Sequence, residues 1–351
     1  LLLFIFFAGS VVISYVWGAH STPTAAFLFL LVYGIWVLAC PVTEEEYYRY
    51  FHRVAFLVSL ICILGAVQYF AQFVVKSDLI FSWRGLVPGS FLLEHNVLNE
   101  LSYGSGHYKS NGVFLMEPSS LSGLAGRELL LVVLLLKDVR YIIPLALGMA
   151  FALSGQGIVF ALLFASIPLI FFLGSKVRPA DSRSFVGPIL LVLVVVIAVG
   201  GVLSIFGDYF LGRAGEYAHP KSSAYARYIT PFLVFEDHVI KSPGAFFLGY
   251  GPGSFDALTA NRTVAHETGW IKIFLELGLL GVVSFCAFFL YCVFSCTRSW
   301  YIAVAMLFHY LLLDSPVLSP QFTFLAYAMF VLPVCAVNPN GKPPEGKPSL
   351  K

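Results

Sequence analysis

Long apolar runs separated by short polar segments dominate the chain, and they predict a bundle of membrane-spanning helices. A span needs roughly 17–25 mainly apolar residues, and inside hydrocarbon each run must satisfy its own backbone hydrogen bonds, so each is predicted to be a helix. Residues 154–157 join two short runs and predict a tight hairpin. The hydrophobic segments lie at about residues 1–17, 24–40, 54–75, 118–136, 139–153, 157–174, 185–206, 267–294, 299–313 and 321–337, which makes about 10 spans.

Composition supports the same class of protein. Of the 351 residues, 59% are hydrophobic and only 11% are charged, whereas a soluble domain has roughly 45–50% apolar and about 25% charged residues. The net charge of +2 gives no reason to expect nucleic acid as a partner. Because the chain opens inside an apolar run without a basic flank, we expect at least one span before Leu1 and no signal peptide.

The distribution of Lys and Arg predicts the orientation of the bundle. If residues 338–351 form a cytoplasmic tail and the spans alternate, the short cytoplasmic loops are basic, as the positive-inside rule expects. The opposite side then holds two long loops, at about residues 76–117 and 207–266, whose aromatic, glycine and proline content predicts order and function. We expect one transmembrane domain over residues 1–337 and a disordered tail.

The second long loop combines a glycine-rich turn with two candidate arginines. Glycines and a proline within residues 248–255 require a tight backbone path. Arg227 lies between two tyrosines and is able to bind phosphate through two guanidinium nitrogens, the alternative being an ordinary surface arginine. Arg213 is a weaker candidate of the same kind. The glycines of the turn are Gly249, Gly251 and Gly253.

The span that follows this loop carries charged residues at its outer end. His266 lies where the loop enters the membrane, and a histidine there takes up a proton near neutral pH, unless it only caps the helix. Lys272 and Glu276 lie four residues apart on one helix face. Charges inside a span usually face a wet or functional cavity, although a pair that only stabilises the helix is the alternative.

The first long loop ends in residues 109–120, where Glu117 precedes an apolar helix that also carries Arg127 and Glu128. A bare charge in hydrocarbon is strongly unfavourable. We therefore expect Arg127 to face the bundle interior, near Glu117 or Glu276. Glu128 or an anionic ligand would also neutralise it. The chain has no HExxH, Walker, dinucleotide-binding, DxD or GxSxG pattern, so it gives no sign of a metal or of a nucleotide-sugar donor.

Three stretches, in their order along residues 109–285, resemble the O-antigen ligase and polymerase superfamily of inner-membrane glycosyltransferases. The first is similar to a polymerase-type pattern of a basic residue, a glycine, an aromatic residue and Glu-Pro. Each motif is short, and the specificity lies in their order and in their position on the two outer loops. The stretches are Lys109–Ser120, Arg227 with Gly249–Phe255, and His266 with Glu276–Gly281.

The resemblance implies an all-α, GT-C-like membrane glycosyltransferase that acts at the outer, periplasmic face of a bacterial inner membrane. Its donor would be a glycan on undecaprenyl pyrophosphate, which is already activated, so no cofactor and no metal are implied. Its other partners would be an acceptor glycan, the lipid bilayer and other membrane proteins of polysaccharide assembly. Among the functions of the superfamily, polymerisation of repeat units is favoured over ligation to lipid A-core, because of the Glu-Pro stretch.

The resemblance also implies roles for the candidate residues. His266 would be the base for the acceptor hydroxyl, with Glu267 as its helper or as the base itself. Many members have His-Asn in place of His266-Glu267 and Arg in place of Lys109, which leaves the detailed roles open. Arg227, Arg213, Arg127 and Lys109 would bind the donor pyrophosphate, supported by Glu117, Lys272, Glu276 and the glycines of the turn.

A transporter or flippase for lipid-linked glycans is the alternative from another functional class. Transporters of this kind are typically built from inverted repeats and have helices broken near the membrane midplane. The sequence has no visible repeat and has two long outer loops instead, which favours an enzyme that works at the membrane surface.

Overall fold

The part of the chain that the structure describes is mostly helical, with very little sheet. The structure is a computed structural model, and its described part contains two short strands besides the helices. The predicted span at 185–206 and the predicted tail at 338–351 lie outside the described residues. These are residues 1–75, 80–82, 99–101, 105–177, 219, 223–259, 268–313 and 317–335.

Fourteen α-helices are described, and several of them continue into a wider π-helical turn. The π-helical turns are Val132–Leu136, Ala161–Ala165, Phe235–Ile240 and His309–Leu313. The α-helices are α1 (Leu2–Trp17), α2 (Pro23–Gly34), α3 (Glu44–Val75), α4 (Pro118–Leu131), α5 (Ile142–Ala152), α6 (Gly155–Phe160), α7 (Ser166–Val177), α8 (Ser223–Tyr228), α9 (Thr230–Val234), α10 (Pro243–Leu248), α11 (Ser254–Thr259), α12 (Gly269–Thr297), α13 (Trp300–Phe308) and α14 (Pro320–Phe330).

Within the described residues, four helices are long and apolar enough to cross a membrane. Shorter apolar helices are also present, at Leu2–Trp17, Pro23–Val37, Val139–Ala152 and Trp300–Leu313. By length and composition the chain therefore has the character of a helical membrane protein. The four long helices are Glu44–Val75, Pro118–Leu136, Gly155–Leu173 and Gly269–Thr297.

Two helix boundaries differ from the predicted segments, and local chemistry explains both. Helix α3 begins at Glu44 rather than near residue 54, because Thr43 and Glu46 form a reciprocal capping box. The Thr43 backbone N–H donates to the Glu46 carboxylate at 2.9 Å, and the Glu46 backbone N–H donates to the Thr43 hydroxyl at 3.3 Å. Helix α14 ends at Phe330, short of Pro333, since proline cannot continue the backbone hydrogen bonding of a helix.

The residues after α14 form a short parallel sheet with the residues after α2. Strand β1 (Cys40–Val42) pairs with strand β2 (Pro333–Cys335), with Cys40 beside Pro333 and Val42 beside Cys335. At the same end of the bundle the Tyr47 hydroxyl donates to the Cys296 carbonyl at 3.0 Å. These contacts bring together segments that the Lys and Arg distribution assigns to one side of the membrane.

Glycines set the close packing of helices α3 to α6. An added Cβ on Gly148 of α5 would lie 2.4 Å from the Cys62 sulfur of α3, and one on Gly157 of α6 would lie 1.8 Å from the Ser122 carbonyl oxygen of α4. Membrane helices associate through van der Waals packing and interhelical hydrogen bonds, so small residues at a crossing bring the backbones together. This packing fixes the depth of α6 against α4.

A chain of hydroxyl groups ties α2 to the last two helices. The Tyr33 hydroxyl donates to the Val317 carbonyl at 2.7 Å and lies 2.6 Å from the Tyr310 hydroxyl. The single hydroxyl proton of Tyr33 is donated to Val317, so the Tyr310 hydroxyl must donate to Tyr33. The Thr323 hydroxyl, 3.1 Å from that of Tyr310, must then donate to Tyr310. The hydroxyls are thereby satisfied inside an apolar cluster of aromatic rings.

The crossing of α4 and α6 generates a prediction about two neighbouring glycines. Gly157→Ala should lower the stability of the protein by about 1–3 kcal/mol, because the new methyl group overlaps backbone that cannot move aside. Gly155→Ala, at the start of the same helix, has no atom within 4 Å of its Cβ and should leave stability unchanged. Melting of the detergent-solubilised variants, followed by size-exclusion fluorescence, measures both. Equal melting temperatures would contradict the proposed crossing.

Candidate functional site

The N-terminal end of α4 holds an arginine–glutamate pair that joins the two long loops. Glu117 is the N-cap residue of α4, and one of its carboxylate oxygens accepts hydrogen bonds from Arg227 of α8, at 3.2 Å, and from the Ser119 hydroxyl. The Arg227 side chain is 17% exposed. Its Nε atom is buried and has no hydrogen-bond acceptor within the described residues, so the guanidinium is held by one nitrogen and keeps further donor capacity.

The loop that leads to Glu117 is fixed by a buried glutamine of α3. Gln68 is 2% exposed and donates to the Asn111 side chain at 2.8 Å and to the Ile80 carbonyl at 2.7 Å. Its carbonyl oxygen accepts from the Ser110 hydroxyl at 2.7 Å and from the Gly112 N–H at 3.1 Å. Lys109, the basic residue predicted to bind the donor, directly precedes this network and is partly buried.

A group of buried polar side chains lies against α4, further along the helix from its N-terminal end. Arg127 is 3% exposed, as its charge predicts, and it interacts electrostatically with the neighbouring Glu128 and with His309 of the α13 π-helical turn. Its expected proximity to Glu117 or Glu276 stays a prediction. Gln156 of α6 lies beside His309: an added Cβ on Gly123 of α4 would lie 3.0 Å from the Gln156 Nε2 and 3.2 Å from the His309 Nε2.

The turn between α5 and α6 lies close to this group, near the N-terminal end of α4. The chain reverses at Leu153 and Ser154, where the hairpin was predicted, and the Ser122 hydroxyl of α4 donates to the Ser154 carbonyl at 3.0 Å. Ser122 lies about 7.5 Å from Glu117 along the helix axis, at 1.5 Å per residue. The polar group beside Gly123 therefore lies at the depth of an interhelical turn and not at the centre of a long span.

The two charged residues predicted on one face of α12 form a buried ion pair. The Lys272 Nζ is 3.4 Å from the Glu276 carboxylate, and the two side chains are 5% and 0% exposed. The same Nζ lies 5.4 Å from the centroid of the Phe255 ring, a cation–π distance. These side chains do not reach the protein surface, so the pair lies within the packed protein beneath the second loop.

Helix α12 is interrupted at Gly278, whose φ of 66° and ψ of −169° lie outside helical values. A break of this kind takes donors away from nearby carbonyl groups. The glycine turn of the second loop replaces them: the Tyr250 N–H donates to the Leu275 carbonyl at 2.8 Å and the Gly251 N–H to the Glu276 carbonyl at 2.9 Å. The Ser14 hydroxyl of α1 also donates to the Glu276 carbonyl.

The three glycines of this turn allow close backbone contact with the rest of the protein. All three have positive φ, from 76° to 98°, which side-chain-bearing residues rarely adopt. An added Cβ would lie 2.3 Å from the Glu276 carbonyl oxygen at Gly249, 1.9 Å from the Ser21 hydroxyl at Gly251 and 2.3 Å from the Thr22 hydroxyl at Gly253. The three glycines therefore allow the second long loop to pack directly against α12 and against the α1–α2 turn.

The sequence-predicted residues divide into three groups. Arg227 and Glu117 meet at the N-terminal end of α4, Arg127 lies further along the same helix, and the ion pair of α12 lies beside the glycine turn. Arg213, His266 and Glu267 lie outside the described residues. The sequence analysis assigned no role to three other buried polar residues. The pattern that would have identified them is a polar side chain within or beside an apolar run. They are Gln68, Gln156 and His309.

No family model, curated protein or solved structure matches this chain. Among the described residues, no three His, Cys, Asp or Glu side chains lie close enough together to hold a metal ion. At the N-terminal end of α4 the described residues present the Arg227 guanidinium hydrogen-bonded to the Glu117 carboxylate.

The glutamine network generates a prediction about the first loop. Gln68→Met should release residues 109–112, because four hydrogen bonds of the loop lose their partner while the volume is nearly kept. Trypsin should then cleave after Lys109 faster than in the parent protein, as mapped by mass spectrometry. Val67→Ala is the control, because Val67 is exposed on the same helix. Unchanged cleavage in Gln68→Met would show that the loop does not depend on this side chain.

Proposed function

We propose that the protein polymerises undecaprenyl-pyrophosphate-linked oligosaccharide repeat units of a surface polysaccharide. The reaction is a glycosyl transfer at the outer face of a bacterial inner membrane, which the chain crosses about ten times with a GT-C-like fold. In this reaction the acceptor hydroxyl attacks the anomeric carbon of the donor, the bond to the pyrophosphate oxygen breaks, and undecaprenyl pyrophosphate leaves. Negative charge builds up on the leaving group, so cationic donors beside it would lower the barrier.

The observation that carries the proposal is the arrangement of Arg227. Its guanidinium is oriented by Glu117, while its buried Nε has no acceptor within the described residues. A planar guanidinium oriented in this way is suited to bind two oxygens of a doubly charged group such as a phosphate. The N-terminus of α4 lies beside it, and the partial positive charge of a helix N-terminus favours an anion at the same place.

The other residues are assigned by their positions along the chain. Lys109 and Arg213 lie on the two outer loops and would add positive charge near the pyrophosphate, as would the deeper Arg127. His266 would take the proton of the acceptor hydroxyl, with Glu267 either orienting it or acting as the base. The glycine turn, which is bound to α12 on one side and to the α1–α2 turn on the other, would hold this loop over the donor.

Two other functions give different accumulated intermediates. A ligase would transfer a finished glycan to lipid A-core or another acceptor, whereas a flippase would move the lipid-linked unit across the membrane. The break in α12 is a feature of many transporters, but here the carbonyls at the break accept hydrogen bonds from Tyr250, Gly251 and Ser14. Because these carbonyls already accept hydrogen bonds from the protein, a structural role for the break is favoured over ion or substrate binding.

A deletion strain of the host tests these alternatives directly. Loss of a polymerase leaves single-repeat lipid-linked units that are accessible to labelling from outside the inner membrane. Loss of a ligase leaves long lipid-linked polymer, and loss of a flippase leaves single units that are protected from external label. Unchanged surface polysaccharide and unchanged lipid-linked intermediates in the deletion strain would contradict all three assignments.

Arg227→Lys tests the role of the guanidinium. Lysine keeps the charge but loses the planar pair of donors, so we expect polymer formation to fall by about tenfold or more while the protein still inserts and folds. Lys241→Arg is the control, since Lys241 lies on a neighbouring turn, is exposed and pairs with Asp237. Full activity of Arg227→Lys in the complementation assay would rule out two-point binding by this residue.

Substitutions at His266 and Glu267 distinguish the roles of these two residues. If the histidine is the base, His266→Ala should lower the transfer rate by about 10²–10⁴-fold, with donor binding retained, and Glu267→Gln should keep appreciable activity. The reverse pattern would make Glu267 the base. Single-turnover transfer with a purified lipid-linked donor measures the rate, and normal polymer from both variants would exclude this pair from the chemistry.

A further inference from the structure

A cavity of about 730 Å³ lies at the end of the bundle that carries the β1–β2 sheet, and no residue of the proposed transfer site lines it. Its walls come from the start of α1, the residues between α2 and β1, the last turns of α12, and strand β2 with the residues before it. Arg298, which follows α12, lies about 30 Å along that helix from the break at Gly278, at 1.5 Å per residue. The volume falls within the roughly 300–1,000 Å³ of small-molecule sites.

The face of α12 that borders the cavity changes from apolar to cationic along the helix. Phe288, Tyr291, Ser295 and Arg298 all line the cavity and follow one another at intervals of three or four residues, which places them on one side of a helix. Arg298 is exposed and forms no salt bridge with a described residue. Among the described residues that line the cavity none is acidic. The polar end of the cavity therefore favours an anion.

The wall opposite α12 supplies a hydrogen-bond donor. Trp36 is 2% exposed, and its Nε1 atom is buried without a hydrogen-bond acceptor within the described residues. The Cys292 thiol donates to the Trp36 carbonyl at 3.8 Å, so the tryptophan lies beside a part of α12 that is about 9 Å from Arg298 along the helix axis. A buried indole N–H usually has a partner. An uncharged acceptor that lies deeper in the bundle than the anion would supply one.

A phospholipid presents its groups in the same order. Its phosphate lies at the membrane surface, its ester carbonyl groups lie deeper and carry no charge, and its acyl chains lie deepest. Leu2, Val37 and Phe288 give the cavity apolar walls for an acyl chain. A zwitterionic headgroup also carries an ammonium group, for which the lining has no carboxylate, so a lipid with net negative charge fits better. The Lys and Arg distribution predicts that this end is cytoplasmic, where basic pockets between helices bind anionic headgroups.

We infer that this cavity binds one anionic phospholipid, with its phosphate at Arg298, an ester carbonyl at Trp36 and an acyl chain between α1 and α12. The inference does not rest on the proposed function, because no residue of the transfer site takes part. A lipid held in this way binds only the folded protein and so stabilises it. The ligand is a component of the surrounding bilayer and not a substrate.

Substitution of Arg298 tests the charge at the site. Native mass spectrometry of the purified full chain in detergent, titrated with phosphatidylglycerol or phosphatidylcholine, measures the affinity for the first bound lipid. Arg298→Gln should weaken phosphatidylglycerol binding about fivefold, the factor that corresponds to one basic residue near an anionic membrane surface. It should also remove the preference over phosphatidylcholine. Arg49→Gln is the control, because Arg49 is exposed, pairs with Glu45 and does not line the cavity.

Substitution of Trp36 tests the second contact without a change of charge. Trp36→Phe keeps an aromatic ring but loses the N–H, so binding of phosphatidylglycerol should weaken about twofold to tenfold. The control is Trp300→Phe, since Trp300 is 58% exposed and stacks on Phe294 outside the cavity lining. The melting temperature of each variant without added lipid separates a loss of binding from a loss of folding.

The possible results decide for or against the site. Weaker phosphatidylglycerol binding by folded Arg298→Gln, with Arg49→Gln unchanged, supports it, and if Arg298→Gln does not fold, Trp36→Phe against Trp300→Phe decides. A parent protein that holds no lipid, because another part of the protein or a second copy fills the cavity, would overturn it. So would equal binding of the two lipids by the parent, equal losses in Arg49→Gln and Arg298→Gln, or parent-like binding by both Arg298→Gln and Trp36→Phe.

Discussion

The structure depends on enclosing a charged helix within apolar surroundings. Every residue of α4 from Pro118 to Leu131 is buried, and the helix includes both Arg127 and Glu128. A helix with such charges is unstable against hydrocarbon, so the neighbouring helices must surround it with protein. Gly157 allows the backbone of α6 to approach the backbone of α4 closely. The polar residues beside α4 follow from the same need to surround its charges with protein.

The second constraint is the interruption of α12 at Gly278. Backbone carbonyls cannot be left without donors in an apolar interior, so the break requires a partner segment. The turn containing Gly249 and Gly251 supplies that partner, and its glycines are needed because it lies against backbone. As a result the turn of the second long loop is not a separate appendage: its position is coupled to a helix that also carries the Lys272–Glu276 pair.

Several features of the fold and the site were predictable from local patterns. The turn between α5 and α6 follows from the polar break between two short apolar runs, and the burial of Arg127 follows from the energetics of charge in membranes. The extension of α3 to Glu44 was missed, although Thr43 and Glu46 form a recognisable capping box, because hydropathy alone defined the segments. The pairing of Arg227 with Glu117 was not predictable, since it joins residues on two different loops.

The sequence by itself determined the apolar, helical class of the protein, because long runs of hydrophobic residues have few other stable conformations in a membrane. It also marked most of the charged residues worth testing. Only the tertiary structure decided which of these meet, and it added Gln68, Gln156 and His309. Such convergence depends on the depth and rotation of each helix, which are set by glycine crossings and hydrogen bonds between segments far apart in the chain, and hydropathy does not encode them.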